Sequence, residues 1–285
     1  MVEQLYKAFK TCTGISIDTR TISKGNLFFA LRGPNFNGNK YAAQALEKGA
    51  RYAVIDDPAS AELEEGSYII VDNSLKALQE LATYHRLECK AKIIGITGSN
   101  GKTTTKELLA SVLSTKHNIV FTQGNLNNHI GVPLTLLTIQ PETEIAIVEM
   151  GANRIGDIAE LCEIARPEYG LITNIGKAHL EGFGSLEGVK KGKGELFESI
   201  VDSGGTLFVN SDDQILSEMA NHAESVVYYS QDSNFESDTP IDFSESSGSL
   251  EFSFNWKGTI VMGETQLYGA YNIPNILAAI NIGYY

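Results

Sequence analysis

Apolar and polar positions along the chain follow two alternating periods, one typical of buried strands and one of amphipathic helices. Short apolar runs predict strands at residues 26–31, 52–55, 68–71, 92–96, 145–149, 169–174 and 206–210. Apolar residues at helical spacing predict helices at residues 41–49, 74–88, 103–114, 155–165 and 189–200, with Ser74 as the N-cap of the second. Strands that alternate with helices indicate an α/β fold with parallel sheets covered by helices.

The pattern divides the chain into two predicted domains. Its 285 residues correspond to roughly two domains of about 150 residues each. Residues 1–73 predict a small N-terminal α/β domain, and the Gly- and Asn-rich stretch at 33–39 predicts a surface loop within it. Residues 74–285 predict a larger central domain with a mostly parallel sheet. Residues 226–268 are rich in Ser and predict a small antiparallel appendage to it.

Charge and cysteine content narrow the classes of function. Lys and Arg total 22 against 35 Asp and Glu, so the net charge of -13 argues against nucleic acid or an anionic membrane as the main partner. The 3 cysteines are far apart, which excludes a disulfide framework or a structural zinc site. We see neither an apolar leader nor an apolar run of about 18 residues, so we expect a cytoplasmic protein without membrane insertion.

A candidate phosphate-binding loop, Gly-Ile-Thr-Gly-Ser-Asn-Gly-Lys-Thr, occupies residues 95–103 between a predicted strand and helix. Gly98 and Gly101 permit a tight turn whose N–H groups point at an anion, and the helix N-terminus adds its dipole. Lys102 supplies a positive charge for the β- and γ-phosphates, and the Thr103 hydroxyl is a candidate Mg²⁺ ligand. The spacing lacks the first Gly of the common motif. The alternative is a Gly-rich turn with a surface lysine, which the order of strand, loop, Gly-Lys-Thr and helix disfavours.

Three further residues are candidates for the same chemistry. Glu149 and His179 each follow a predicted strand, at the edge where open parallel sheets bind ligands. Glu149 is either a magnesium ligand or a solvated strand-end carboxylate, and His179 is either functional or a hydrogen-bonded loop residue. Lys193 belongs either to a solvated basic run or, after reaction with CO₂, carries a carbamate that binds a second Mg²⁺.

Four linked motifs resemble the Mur ligases, the ATP-dependent amide-bond ligases of peptidoglycan precursor synthesis. They lie at residues 98–105, at 124–128 with 130–134, at 148–153 and at 173–181, and the resemblance runs from about residue 15 to the end. The segments 149–153, 16–20 and 27–33 are most similar to the family member that joins D-alanyl-D-alanine to UDP-N-acetylmuramoyl-tripeptide. The resemblance implies an acyl phosphate intermediate, two Mg²⁺ ions and a third domain after residue 285. We expect a monomer.

The resemblance also assigns roles to individual residues. It implies that ATP contacts Gly98, Ser99, Asn100, Gly101, Lys102, Thr103 and Thr104, with Asn272 and Asn275 on the adenine side. Tyr271 stands where this family usually has His. Thr103 and Glu149 resemble ligands of one magnesium, and His179 and a carbamylated Lys193 resemble ligands of the other. The implied contacts to the UDP precursor are Ser16, Asp18, Thr19, Arg20, Arg32, Asn39, Asn125 and Asn128.

Several alternatives remain open from the sequence. Arg20 is a precursor contact or a partner in a surface salt bridge. The chain could be a sister ligase, either a folylpolyglutamate synthase or the ligase that adds the third residue of the peptide. A generic P-loop ATPase or kinase would leave residues 1–72 without a role. A nucleotide-binding protein without catalysis is the third alternative.

Overall fold

Two parallel sheets and a small antiparallel sheet form the architecture, which confirms the predicted α/β class. The structure is a computed structural model that describes residues 1–61, 66–177, 180–231, 241–246, 249–256 and 258–285. Within these residues, no helix has the length and apolar character needed to cross a bilayer.

The first parallel sheet lies in the N-terminal part of the chain. Its elements are α1 (Val2–Phe9), β1 (Ile15–Ser16), β2 (Leu27–Phe29), β3 (Arg32–Gly33), β4 (Phe36–Asn37), α2 (Ala42–Glu47), β5 (Tyr52–Ile55) and β6 (Tyr68–Ile70). The strand order is β1-β2-β5-β6, and all three pairings are parallel. β3 and β4 form a short antiparallel hairpin, so the surface loop predicted at 33–39 is exposed at 33–36 but contains strand residues, which the prediction missed. The hairpin puts Arg32 opposite Asn37, a pairing that residue composition does not reveal.

Helix α3 (Ser74–Glu88) connects the first sheet to the second. It packs against α1 on one side and against two helices of the central part on the other. The helix bounds match the prediction, but the N-cap does not. Asn73 has the extended backbone of a cap, and its side chain accepts a hydrogen bond from the Lys76 N–H at 2.8 Å, whereas Ser74 is already helical. Because α3 packs on both parts, the domain boundary at residue 73 stays a prediction.

The central part contains the second parallel sheet. Its elements are β7 (Lys92–Thr97), α4 (Lys102–Leu113), β8 (Ile119–Phe121), α5 (Gly131–Leu136), β9 (Ile145–Glu149), α6 (Asp157–Ala165), β10 (Tyr169–Ile172), α7 (Leu180–Phe183), α8 (Leu186–Asp202), β11 (Thr206–Asn210), α9 (Gln214–Ala220) and β12 (Val226–Tyr229). The strand order is β12-β11-β10-β7-β9-β8. All strands run parallel; β8 and β9 lie on one side of β7, and β10 to β12 lie on the other, so the loops after β7, β9 and β10 meet at one edge. Ligands of open parallel sheets bind at such an edge.

The antiparallel appendage is smaller than predicted. It consists of β13 (Asp242–Ser246), β14 (Ser249–Trp256) and β15 (Thr259–Thr265). β12 lies in the predicted range of the appendage but pairs in parallel with β11, so that part of the prediction is wrong. Its short apolar run, Val-Val-Tyr-Tyr, is compatible with either sheet, and the pairing with β11 decides between them. The last helix, α10 (Ile273–Tyr284), packs against α4 and thereby reaches the phosphate loop.

Candidate functional site

The loop between β7 and α4 has the geometry of a phosphate cradle. Gly98 and Gly101 have φ angles of 145° and 79°, which side chains rarely allow. A Cβ atom on Gly98 would overlap with the hydroxyl of Thr173. The Lys102 ammonium donates to the carbonyl of Gly98 at 2.7 Å, so its charge lies over the loop. The N–H groups of the first turn of α4 remain available to an anion, as at any helix start.

The segment after β10 holds this loop in place. The Ser99 hydroxyl accepts from the Gly176 N–H at 2.8 Å and donates to the Gly176 carbonyl at 3.1 Å. The Thr173 hydroxyl donates to the carbonyl of Asn100 at 2.6 Å, and the Asn174 side chain accepts from the Asn100 N–H at 3.1 Å. The side chain of Ser99 is therefore engaged within the protein. The loop is preorganised by hydrogen bonds from a segment far away in sequence.

A buried carboxylate lies next to the start of α4. Glu149 is 2% exposed at the end of β9, so its interpretation as a solvated strand-end residue is wrong. Its Oε2 accepts from the Thr103 hydroxyl at 2.9 Å, and its Oε1 accepts from the Asn127 amide at 2.8 Å. A hydroxyl and a carboxylate are the hard oxygen donors that Mg²⁺ prefers, so this pair fits the metal. Asn127 is a site residue that the sequence prediction missed, although it lies in the motif at 124–128.

Lys193 is buried on α8, where the charge of Lys102 acts on it. Its side chain is 1% exposed, so its interpretation as part of a solvated basic run is wrong. Its ammonium lies 5.6 Å from the centroid of the Phe183 ring. Burial, and then the positive charge of Lys102, lowers the pKa of Lys193 to about 8. Burial also lowers the pKa of Lys102, and the charge of Glu149 partly opposes this. The charge of Lys102 thus acts on Lys193, and the charge of Glu149 acts on Lys102.

His179 lies outside the described residues, so the structure gives no account of it. Among the residues that are described, no group of three or more His, Cys, Asp and Glu is arranged to hold a metal ion. The fit to a divalent cation therefore rests on Thr103 and Glu149.

A cleft of about 950 Å³ opens beside the phosphate loop. Predicted ATP contacts from the phosphate loop and α4 line it together with those near the start of α10: Asn100, Gly101, Thr104, Asn272 and Asn275. Tyr271 lies at its exposed rim. The buried Asn275 accepts from the Thr105 hydroxyl at 3.1 Å and donates to Asn272 at 3.1 Å. The predicted adenine-side residues thus lie against the phosphate loop, as α10 packs on α4.

The predicted precursor contacts at residues 16–20 form a compact loop. Asp18 and Arg20 make an ion pair at 2.6 Å, and the Arg20 side chain is 85% exposed. Hydrogen bonds from Arg20 lower the pKa of Asp18 to about 2. The Ser16 hydroxyl donates to the Asp18 carbonyl at 2.9 Å, and the Lys48 ammonium donates to the Thr19 carbonyl at 2.9 Å. The surface salt bridge considered for Arg20 is therefore present.

Asp56, which no sequence motif marks, joins two other predicted precursor contacts. Its Oδ1 accepts from Arg32 at 2.6 Å and from the Asn39 amide at 2.8 Å. Its Oδ2 accepts from the Ser74 N–H at the start of α3, at 3.1 Å. Burial opposes the charge of Asp56, but these hydrogen bonds outweigh it and lower its pKa. Asn39 is buried and engaged internally, whereas Arg32 keeps part of its guanidinium exposed.

The last two predicted contacts differ in their surroundings. Asn125 is exposed in the loop after β8. The Asn128 side chain accepts from the N–H groups of Ile130 and Gly131 at 3.0 and 2.9 Å, so it stabilises the start of α5.

Comparisons with known proteins place the chain beside one group of enzymes. A family model described as the Mur ligase middle domain matches residues 96–283, and a model described as Mur ligase family, catalytic domain, matches residues 11–86. The UDP-N-acetylmuramoyl-tripeptide--D-alanyl-D-alanine ligases of Escherichia coli and Bacillus subtilis are each 36% identical to the chain, over 97% and 95% of its residues. The chain spans 61% and 58% of their lengths.

Solved structures give the same result. A crystal structure of MurF from Acinetobacter baumannii superposes with a TM-score of 0.83 at 30% identity, covering 100% of this chain and 64% of that one. MurF from Thermotoga maritima in complex with ADP superposes with a TM-score of 0.80 at 28% identity, covering 96% of this chain and 63% of that one.

Proposed function

The chain belongs to the Mur ligase family, and we propose from this that it adds D-alanyl-D-alanine to UDP-N-acetylmuramoyl-tripeptide at the expense of ATP. The names of its curated relatives and the ADP complex of a solved relative support the substrates. The observation that carries the proposal is the pair of Thr103 and Glu149, joined at 2.9 Å beside a preorganised phosphate loop. This arrangement suits transfer of a phosphoryl group to a carboxylate.

The proposed reaction has two steps. The terminal carboxylate of the tripeptide attacks the γ-phosphorus of ATP, a carboxyl oxygen–phosphorus bond forms and ADP leaves. The amine of D-alanyl-D-alanine then attacks the acyl carbon, phosphate leaves and the nitrogen loses a proton. Two anions approach each other in the first step, so the charge of Lys102 and the N–H groups of its loop stabilise the transferring phosphoryl group.

We propose that Thr103 and Glu149 hold one Mg²⁺, and that His179 and a carbamylated Lys193 hold a second. Bound Mg²⁺ supplies positive charge that stabilises the phosphate oxygens. The Asn127 amide orients the Glu149 carboxylate toward this role.

The lowered pKa of Lys193 supports the carbamate. A neutral lysine amine adds to CO₂, a C–N bond forms and one proton is released, so a carbamate with one negative charge shared by two oxygens replaces the cationic side chain. Nuclear magnetic resonance in isotopically labelled bicarbonate tests this. We expect a carbamate signal that Lys193→Met removes and Lys191→Met, on the exposed side of the same helix, retains. A signal that persists in Lys193→Met contradicts the assignment.

On the precursor side, the residues divide by exposure. We propose that the guanidinium groups of Arg20 and Arg32 contact the diphosphate. Ser16, Asp18 and Thr19 shape the loop that carries Arg20. Asn39 and Asn128 are engaged in internal hydrogen bonds, so we propose that they shape their loops, while Asn125 is free to reach the ligand. The cytoplasmic location, the monomeric state and the exclusion of nucleic acid as a partner stay predictions.

Isothermal titration calorimetry on the chain tests the proposed function. We expect the chain to bind UDP-N-acetylmuramoyl-tripeptide with a higher affinity than UDP-glucose or the corresponding dipeptide precursor. Preference for the dipeptide precursor would instead indicate the ligase that adds the third residue. Lys102→Ala is the matched variant, and it should weaken ADP binding and leave precursor binding intact. Binding of ADP without binding of any UDP precursor overturns the substrate assignment.

A further inference from the structure

Lys106 is a buried cation that the proposed mechanism does not use. It is 0% exposed, on α4 and one helical turn beyond Thr103. Charged side chains are almost never fully buried unless they are paired. Its ammonium donates to the Thr122 carbonyl at 2.7 Å and lies 2.9 Å from a carboxylate oxygen of Glu107. An apolar side chain of the same length would fill the space but would leave the Thr122 carbonyl without this donor.

The carbonyl that Lys106 binds belongs to a residue that supports the metal carboxylate. Thr122 directly follows β8 and is buried. Its N–H donates to the carbonyl of Ile147 on β9 at 3.0 Å. Its hydroxyl accepts from the backbone N–H of Glu149 at 2.9 Å. The end of β8 and the end of β9 are thus held together at Glu149, and Lys106 holds the end of β8 to α4.

These contacts form a closed ring that includes both candidate metal ligands. Thr103 donates to the Glu149 carboxylate, the Glu149 N–H donates to Thr122, and Lys106 donates to Thr122. Thr103 and Lys106 lie on the same helix, which completes the ring. The loop that follows Thr122 carries Asn127, the second hydrogen-bond donor to Glu149. The Lys106 ammonium therefore ties α4 to the backbone from which both sides of the carboxylate are oriented.

We propose that Lys106 is a positioning residue that sets the affinity of the Thr103–Glu149 pair for a divalent cation, acting through Thr122. The proposal rests on the proposed function, because it assumes that this pair binds metal with a nucleotide. Loss of the ammonium frees the Thr122 carbonyl, and Glu149 then loses the fixed distance from Thr103 that a metal requires. Removal of a residue that orients a metal ligand typically lowers metal affinity by about tenfold or more.

The test measures Mn²⁺ binding by electron paramagnetic resonance on the chain saturated with ADP, and ADP binding by calorimetry in EDTA. We expect Lys106→Met to weaken Mn²⁺ binding about tenfold, with metal-free ADP affinity within about twofold of the parent. Thr122→Val removes the hydroxyl and should have a similar effect. Thr122→Ser keeps the hydroxyl and should have parental affinity. Lys116→Met, an exposed lysine just beyond α4, is the matched control and should leave both affinities unchanged.

A double-mutant cycle distinguishes positioning from general stability. If both side chains act through one ring, Lys106→Met with Thr122→Val should weaken Mn²⁺ binding little more than either change alone. Parental Mn²⁺ affinity in a folded Lys106→Met overturns the proposal, as do fully additive effects. If Lys106→Met does not fold, parental Mn²⁺ affinity in Thr122→Val overturns it equally. If the parent chain binds no Mn²⁺ in the presence of ADP, the proposed metal site and this inference both fail. If the parent and the variants bind Mn²⁺ equally well, only this inference is overturned.

Discussion

Replacement of Lys193 by Met should stabilise the fold at neutral pH, and this stabilisation should become smaller at alkaline pH. Lys193 is 1% exposed, and its ammonium lies 5.6 Å from the centroid of the Phe183 ring. None of the described residues forms a hydrogen bond or ion pair with it. A buried charge in this state costs free energy, and Met fills a similar volume without that cost.

The pKa of Lys193 gives the magnitude. It falls from 10.5 to about 8, mainly through burial and then through the charge of Lys102. At about 1.4 kcal/mol for each unit of pKa, this corresponds to roughly 3 kcal/mol, and partial solvent screening reduces it to about 2 kcal/mol. Between the two pKa values the unfolded chain binds the extra proton. The penalty is therefore complete below the folded pKa of about 8, and it disappears as the pH rises towards 10.5.

Urea unfolding in buffers stripped of CO₂ measures this prediction, since the amine then stays unmodified. Lys193→Met should raise the free energy of unfolding by about 2 kcal/mol at neutral pH, and by much less near the unfolded pKa. Lys191→Met on the same helix serves as the control, because that side chain is exposed and should give no gain at either pH. A Lys193→Met protein that is destabilised, or equally stabilised across the pH range, refutes the reasoning.

Three further perturbations follow from the described contacts. Lys102→Ala should weaken ADP binding by about 1.5–3 kcal/mol, since a charged hydrogen-bond donor to phosphate is lost; calorimetry that finds parental affinity contradicts this. Gly98→Ala should destabilise the fold by about 2 kcal/mol in urea, because its Cβ overlaps with the Thr173 hydroxyl, and adding Thr173→Ala should recover part of the loss. Without that recovery, the close contact is not the cause. Asp56→Asn should lower the free energy of unfolding by about 1–2 kcal/mol at neutral pH. Its folded pKa is lowered, so this stabilisation is lost as the pH falls through that value, and unfolding curves of parent and variant that stay apart in acid contradict the assignment.

Most strands and helices of the central part could be predicted because each has a local cause. Apolar runs of strand length lie at 92–96, 145–149 and 206–210, and strands form there. The prediction errors occur where the structure of a segment depends on the strand with which it pairs. β12 has a pattern that fits a small antiparallel sheet, yet it pairs with β11, and the hairpin of β3 and β4 lies in a stretch whose composition indicates a loop.

The candidate site divides in the same way. Gly98, Lys102 and Thr103 were found from the sequence because a phosphate loop is a continuous segment whose glycines and charge lie at fixed spacing. Asn127 and Asp56 were not, since each acts through contacts with residues distant in the chain. An Asn or Asp in a loop has many possible roles, and no spacing rule identifies the one it takes.

The sequence by itself determined the α/β class, the phosphate loop and the resemblance to the Mur ligases. These depend on residue type and spacing, which a linear chain displays. The tertiary structure alone decided that Glu149 and Lys193 are buried rather than solvated, and that Lys106 closes a ring at Thr122. Burial and hydrogen bonding depend on which strand ends and helices meet in space. In this sheet the order β10-β7-β9 brings together three loops that lie tens of residues apart along the chain.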